Sequence, residues 1–98
     1  MDLGIAAKVR PCLVLSVPAT SQDRSLVCLV PHTTSTRGSP YEVSCRARFL
    51  QPGAFDAQSI VTVPTARLVR RLGVLAAVQL ADVEVAVMAW LGINRNDA

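Results

Sequence analysis

The apolar residues of this 98-residue chain fall into short runs before Pro64 and into one long run after it. Two of the short runs, 10–17 (RPCLVLSV) and 25–31 (SLVCLVP), are rich in Leu and Val and do not alternate with polar residues. Continuous apolar runs of this length favour buried strands. Residues 18–24 (PATSQDR) between them have the composition of a turn, so the two runs predict a hairpin with a long loop.

More strands are indicated before Pro64. Residues 41–49 (YEVSCRARF) alternate between apolar and polar, which predicts a half-exposed strand or two short ones. Residues 51–55 (QPGAF) predict a turn, and 57–63 (AQSIVTV) predict a further strand.

The pattern changes after Pro64. Thr65 can cap a short helical turn that runs through Arg71 and closes at Gly73, with Leu68 and Leu72 pointing inward. The basic face of this turn is either a solvated surface or part of a binding site.

The longest helix is predicted over 77–91, and its second half, from Val85 onward, is apolar on every side. Such a helix must be buried on every side, so part of it should pack on the sheet and the rest on a second subunit or a partner peptide. Several strands followed by one helix predict a mainly β fold, a small antiparallel barrel with a C-terminal helix, in a single domain over residues 1–98.

Composition narrows the classes of function that the chain could have. The net charge is +3 and nine of the ten cations are arginine, which suits phosphate contacts but is also compatible with an ordinary solvated surface. Only four aromatic residues are present, too few for a typical base-stacking platform. The sequence has no P-loop, no GxGxxG and no paired histidines, so neither a cofactor nor a metal is expected.

Two further features concern the cellular location of the chain. The longest apolar run, 85–93, is far shorter than the roughly 20 residues that span a membrane. The three cysteines form no CxxC pair and no secretory signal is present, which predicts reduced thiols in a cytoplasmic protein.

One cluster of side chains suits a phosphodiester. Arg10 opens the first strand and Thr33 follows the second, so antiparallel pairing should bring both to the same end of the sheet. Pro11 would stiffen the chain there and hold Arg10 outward. Thr34, Ser35 and Thr36 add hydroxyl donors and Arg37 follows them. The alternative is a hydroxyl-rich loop that satisfies only its own backbone.

The stretches KVRPCLVLSV, VPHTTSTRGSPYEV and VPTARLVRRLG, in this order before a terminal helix, resemble the MazF/PemK family of toxin–antitoxin endoribonucleases, also called mRNA interferases. The resemblance implies an SH3-like barrel, a homodimer and an acidic antitoxin partner. It also implies metal-independent, sequence-selective cleavage of single-stranded RNA to 2′,3′-cyclic phosphate and 5′-OH ends. The family's catalytic arginine and threonine fall on Arg10 and Thr33. Residues expected to contact RNA are Lys8, His32, Thr34, Ser35, Arg37 and Gln58.

The chain departs from the family pattern in three places. No glutamate precedes Arg10 in its loop, and Gln58 stands where some members carry an aspartate, so the proton-transfer group is unassigned. His32 is a candidate base, but on a continuous strand it would face away from Thr33. The first family strand is missing or shortened, because the chain opens at MDLG. The true start is expected upstream of Met1; completion of the barrel by another chain and a decayed copy are alternatives.

Two other functions remain open. The first is a non-catalytic, truncated relative that keeps only antitoxin binding. The second is a gyrase-binding toxin of the CcdB type on a similar barrel, in which Arg10 and Thr33 would have no catalytic role.

Overall fold

The computed structural model describes residues 9–93. Its regular elements are β1 (Cys12–Val14), β2 (Leu26–Thr33), β3 (Glu42–Val43), β4 (Ala54–Asp56), β5 (Val61–Pro64) and the helix α1 (Ala77–Leu91). Two single turns of 3₁₀ helix, Ala57–Ser59 and Thr65–Arg67, flank β5. The helix has the predicted bounds.

The strand β2 organises the sheet because it pairs antiparallel with three other strands. It pairs with β1 along Leu29–Pro31, with β5 along Leu26–Leu29 and with β4 at His32 and Thr33. β3 extends the sheet from the other edge of β4. The predicted hairpin of the first two apolar runs is therefore confirmed, although the regular part of its first strand is shorter than 10–17.

The main core lies between the sheet and one face of α1. Val83, Ala86 and Val87, spaced as one helical face, are buried against Val30 and Phe55. A smaller apolar cluster joins Val27, Leu29 and Val63 where β2 meets β5.

The rest of the helix remains apolar and exposed. Val78, Val85, Trp90 and Leu91 all lie on the surface of this single chain. The helix ends at Gly92, whose positive φ of 73° brings its N–H back to the carbonyl of Ala89 at 3.2 Å.

The strand predicted over 41–49 is wrong for most of its length. Only Glu42–Val43 is a strand, and it pairs with β4. β4 in turn begins inside the predicted turn 51–55. Gly53 packs so closely on the backbone of Thr33 that a side chain there would collide with the Thr33 carbonyl oxygen. This glycine serves strand contact as well as chain reversal.

The strand predicted over 57–63 is interrupted at its start. The carboxylate of Asp56 accepts the N–H of Gln58 at 3.1 Å and the hydroxyl of Ser59 at 2.8 Å. These local bonds stabilise a 3₁₀ turn instead of continuing the ladder, so β5 begins only at Val61.

The helical turn predicted from Thr65 to Arg71 is also shorter. It is a single 3₁₀ turn, Thr65–Arg67, with no side-chain cap. Leu68 and Leu72, predicted to point inward, are 44% and 39% exposed. With one turn only, the four-residue spacing of the two leucines has no helix to align it.

The fold class is confirmed: a mainly antiparallel sheet with one C-terminal helix. Within residues 9–93 the sheet does not close into a barrel, and β1, β3 and β5 each pair with one strand only. The expected loss of a first strand falls on residues 1–8, outside the described residues.

Candidate functional site

The register of β1 and β2 determines what faces Arg10. Cys12 lies opposite Pro31 and Leu13 opposite Val30, and the N–H of His32 donates to the carbonyl of Pro11 at 2.9 Å. Continuing this register by one residue brings Arg10 opposite Thr33. Directly opposed residues of an antiparallel pair project to the same face of the sheet.

The hydrogen-bond pattern identifies the type of this pair. Pro11 with His32 and Leu15 with Cys28 each share a backbone bond of 2.9 Å, so every second pair in the ladder is a hydrogen-bonded one. Arg10 and Thr33 follow as a non-hydrogen-bonded pair, in which ideal Cα atoms are about 4.5 Å apart. This extension of the register would place an exposed arginine beside a half-buried threonine at one end of the sheet.

Pro11 occupies the hydrogen-bonded position opposite His32. A residue with an N–H would there donate to the carbonyl of His32, which proline cannot do. The regular ladder accordingly begins only at Cys12, and Arg10 lies outside it.

The Thr33 hydroxyl has a defined local partner. Its oxygen accepts the N–H of Ser35 at 3.0 Å, a short hydrogen-bonded turn at the end of β2. The hydroxyl proton is not used by that bond and can be donated to an anion. Thr34, Ser35 and Arg37 follow on an exposed loop.

Glu42 holds that loop and was missed by the sequence analysis. Its two carboxylate oxygens accept the N–H of Arg37, each at 3.0 Å, and one of them also accepts the N–H of Ser39 at 3.0 Å. Gly38, at a φ of 72°, makes the turn that points both N–H groups at the carboxylate. The only signal in the sequence is an acidic residue just after a Gly-Ser-Pro turn in a basic stretch.

His32 lies on the opposite face of β2 from Thr33. It is only 4% exposed, its ring meets that of Phe55 edge-on at 5.2 Å, and its Nε2 atom has no hydrogen-bond partner among the described residues. Burial lowers the pKa of the His32 imidazole below its ordinary value. In this arrangement the ring belongs to the interior, away from the Arg10–Thr33 surface.

The remaining predicted residues do not join the pair. Gln58 is exposed on the 3₁₀ turn after β4, and its N–H is bonded to Asp56. That turn is separated from Thr33 by the length of β4, since Thr33 pairs with Ala54. Lys8 lies outside the described residues.

The arrangement can bind and polarise a phosphate. A guanidinium offers two parallel N–H donors and a neighbouring hydroxyl offers a third, on a surface that also carries Arg37. Across residues 9–93, no group of three or more His, Cys, Asp or Glu side chains is placed to hold a metal ion. No helix in the same range is long and apolar enough to cross a bilayer.

A family model matches most of the chain. Residues 4–91 match the family model described as PemK-like, MazF-like toxin of type II toxin–antitoxin system. No curated protein matches the chain.

Several solved structures are similar to the chain. A mycobacterial endoribonuclease in complex with its cognate antitoxin is 27% identical over 95% of this chain and 88% of its own, with a TM-score of 0.78. The Mycobacterium tuberculosis toxin MazF-mt6 is 28% identical over 87% and 88%, with a TM-score of 0.75. A MazE–MazF structure from Deinococcus radiodurans is 29% identical over 87% of each chain, with a TM-score of 0.74.

Proposed function

Because the chain belongs to the PemK-like, MazF-like toxin family of type II toxin–antitoxin systems, we propose that it is a metal-independent endoribonuclease that cleaves single-stranded RNA. The observation that supports the proposal is the β1–β2 register, which would bring Arg10 opposite Thr33 if it continued one residue past the bond between Pro11 and His32. RNA as substrate would put its action in the cytoplasm.

The reaction is a transesterification within the RNA strand. The ribose 2′-oxygen forms a bond to the adjacent phosphorus and loses its proton, while the bond from phosphorus to the 5′-oxygen breaks and that oxygen gains a proton. The products are a 2′,3′-cyclic phosphate and a 5′-OH end. Negative charge grows on the non-bridging oxygens as the new bond forms.

Arg10 and Thr33 act on that growing charge. The guanidinium of Arg10 donates to one or both non-bridging oxygens, and the hydroxyl of Thr33 donates to the same phosphate. The bond from the Ser35 N–H to the Thr33 oxygen restricts the rotation of that hydroxyl. Donors aligned before the reaction stabilise the transition state more than the ground state, by about 2–4 kcal/mol each.

The neighbouring loop would bind the strand on either side of the cleaved bond. Thr34, Ser35 and Arg37 are exposed there, and Glu42 fixes the loop without occupying the Arg37 guanidinium, since its bonds go to the backbone. Lys8 precedes Arg10 and would add a further phosphate contact.

The exposed apolar face of α1 supports two partners. Val78, Val85 and Leu91 are between 52% and 73% exposed, unusual for apolar residues on a helix of a lone protein. We propose that a second copy of the chain covers part of this surface, and that an acidic antitoxin covers another part and the Arg10 surface. Two of the similar structures are toxin–antitoxin complexes by their descriptions.

Cleavage in EDTA tests the proposal. The purified chain should cut a single-stranded RNA of mixed sequence, and Arg10→Ala and Thr33→Val should each slow cutting by about 30-fold to 1,000-fold, the kinetic equivalent of 2–4 kcal/mol. Arg48→Ala is the matched control, since Arg48 is also exposed but lies far from this end of β2 in sequence and pairing.

The possible results distinguish an active endoribonuclease from a non-catalytic relative. Folding of each variant is checked by circular dichroism and thermal unfolding, so that loss of activity is not loss of structure. Intact RNA with the parent chain, or equal rates for Arg10→Ala and Arg48→Ala, would refute the proposal. Intact RNA together with tight antitoxin binding would instead identify the non-catalytic relative.

A further inference from the structure

His32 leaves a polar atom unpaired in the interior, directly before Thr33 in the chain. Among residues 9–93, its Nε2 atom is the one buried side-chain nitrogen or oxygen that lacks a hydrogen-bond partner. Buried polar groups are almost always paired, because an unpaired one loses its bonds to water and gains none in return. A residue that costs stability next to the candidate site needs an explanation beyond packing.

His32 is held between the two strands that flank the end of β2. It lies directly opposite Phe55 of β4, and the two rings meet edge-on with centroids 5.2 Å apart. Opposed residues project to the same face, and Phe55 packs with Val83 of α1, so the imidazole lies on the helix side of the sheet. On the other edge, the His32 N–H donates to the carbonyl of Pro11 at 2.9 Å. Both the ring and the backbone of His32 therefore have fixed neighbours.

The groups around the ring do not favour a positive charge on it. Burial lowers the pKa of the His32 imidazole, and no carboxylate of the described residues counters that effect. The acidic residues Glu42 and Asp56 are paired with each other on the opposite face of the sheet. The charge of Asp82 on α1 acts instead on Cys45, whose pKa it raises. The titratable side chains of the elements on the helix side are Cys28, Tyr41, Cys45, Asp82 and Glu84.

Gly53 connects the ring of His32 to the backbone of Thr33. A methyl group on Gly53 would collide with the Thr33 carbonyl oxygen and would lie 2.9 Å from the Cε1 atom of His32. One backbone position therefore abuts both the ring and the end of β2. Displacement of the ring on this side is transmitted to Thr33.

The end of β2 is also where the ring could reach water at least cost. β4 pairs with β2 at two residue pairs only, His32 with Phe55 and Thr33 with Ala54. Opening these two pairs would expose the ring while the pairing of β2 with β5 stays intact. Local opening at a strand end costs less free energy than global unfolding. A charged His32 would therefore disturb Thr33 before it disturbs the rest of the sheet.

We propose that His32 is a positioning residue for Thr33, whose neutral ring holds the end of β2 against β4, and that protonation of the ring releases this end and misplaces the Thr33 hydroxyl. The inference rests on the proposed endoribonuclease function and adds to it a switch that slows cleavage in acid. His32 acts through Thr33 and neither contacts the RNA nor exchanges a proton with it.

The first test follows the ring and the strand by NMR on the full, isotope-labelled chain. His32 is the chain's single histidine, so its Cε1–H resonance reports its protonation without ambiguity. From about pH 8 to about pH 4.5, nuclear Overhauser effects between Thr33 and Ala54 should weaken with the midpoint of that resonance. Those between Val27 and Val63, which pair nearer the other end of β2, should persist. In His32→Phe, the weakening at Thr33 and Ala54 should be absent.

The second test measures kcat and KM for RNA cleavage over the same pH range. His32→Phe and His32→Leu fill the position with side chains that take no proton, and each should keep kcat within about threefold of the parent at about pH 7.5. As the pH falls, the ratio of parent to variant kcat should decrease with the midpoint found by NMR. His32→Ala, which leaves space beside Gly53, should lower kcat about tenfold at each pH and change KM by less than about threefold.

Val30→Ala is the matched control. Val30 is fully buried on the same strand and face as His32 but lies nearer the middle of β2. Its truncation should lower stability in urea, as a new cavity does, while kcat stays within about threefold of the parent. The comparison separates a loss of position at Thr33 from a general loss of stability.

Four results would overturn the proposal. The first two come from NMR: a ring that stays neutral down to about pH 4.5, or contacts between Thr33 and Ala54 that persist while the ring titrates. The third is folded His32→Phe and His32→Leu variants that cut no RNA at any pH, which would make His32 the proton-transfer group itself. The fourth is an equal loss of kcat in Val30→Ala and His32→Ala.

The two proposals fail in different ways. If the parent chain cuts no RNA at any pH, the endoribonuclease proposal is refuted. The NMR experiment does not use RNA, so it would still decide whether the neutral ring of His32 holds Thr33 against β4.

Discussion

Glu42 offers a sharp test of how the loop beside Thr33 is kept in shape. Its carboxylate accepts the N–H groups of Arg37 and Ser39, with every oxygen–nitrogen distance at 3.0 Å. Hydrogen bonds to a charged acceptor contribute about 1.5–3 kcal/mol each when shielded from water. Glu42 is half-buried and the loop is exposed, so water can replace part of each bond. Glu42→Ala should therefore lower the free energy of unfolding by about 2 kcal/mol, and Glu42→Gln, which keeps one acceptor oxygen, by about 1 kcal/mol.

The same substitution should affect RNA cleavage in a particular way. Arg10 and Thr33 are untouched, so the chemical step should keep its rate once RNA is bound. The loop that carries Arg37 would lose its anchor and would have to be ordered by the substrate. We therefore expect Glu42→Ala to raise KM by about tenfold and to change kcat by less than about threefold.

Urea unfolding and initial rates in EDTA measure the two effects. Glu84→Ala is the control, since it removes the same charge from an exposed position on α1, away from the loop beside Thr33. If Glu42→Ala unfolds within about 0.5 kcal/mol of the parent, the carboxylate does not hold the loop. If Glu84→Ala changes KM equally, the effect comes from net charge and the argument fails.

Three other substitutions test the residues around this site. Because burial lowers the pKa of His32, the unfolded chain takes up its proton first as pH falls, so the stability should be full above about pH 6.5 and should decline as the pH falls below that value. His32→Gln should flatten that decline in urea titrations at several pH values, and an unchanged slope would show that other groups cause it. Gly53→Ala should cost about 1–3 kcal/mol and slow RNA cleavage, because the new methyl group must displace the end of β2 at Thr33. Gly38→Ala meets nothing within 4 Å and should cost only about 1 kcal/mol for its positive φ, so similar unfolding energies for the two glycine variants would contradict this reasoning.

Elements with one strong local pattern could be predicted from the sequence. α1 has the predicted bounds because its apolar run is long, lacks proline and stops at a glycine. β2 was predicted because its apolar run is continuous and buried on both faces, although it extends two residues further, through Thr33.

Two of the errors arose where distant contacts decide the local structure. Residues 41–49 alternate as a strand should, but a strand needs a partner, and β4 is only three residues long. β4 itself was hidden because Pro52 and Gly53 have turn composition. In each case the deciding contact joins residues far apart in sequence, which periodicity cannot detect.

The candidate site, like the fold, could be predicted only in part from the sequence. Antiparallel order alone was enough to predict that Arg10 and Thr33 share one end of the sheet, and the observed register is consistent with it. Their roles remain a prediction. Glu42 could not be predicted, because its bonds to Arg37 and Ser39 depend on a turn whose shape the sequence does not specify.

The three pairings of β2 give the two candidate residues unequal freedom. Thr33 ends a strand that is bonded along both edges, so moving its backbone would require breaking contacts with β1 and β4. Arg10 lies two residues before β1, and within residues 9–93 the chain before β1 is tied to β2 by one backbone bond, from the His32 N–H to the Pro11 carbonyl, so that stretch can open at far lower free energy. A ligand that binds here would contact a rigid Thr33 backbone, and the more mobile Arg10 would adjust to the ligand after this first contact.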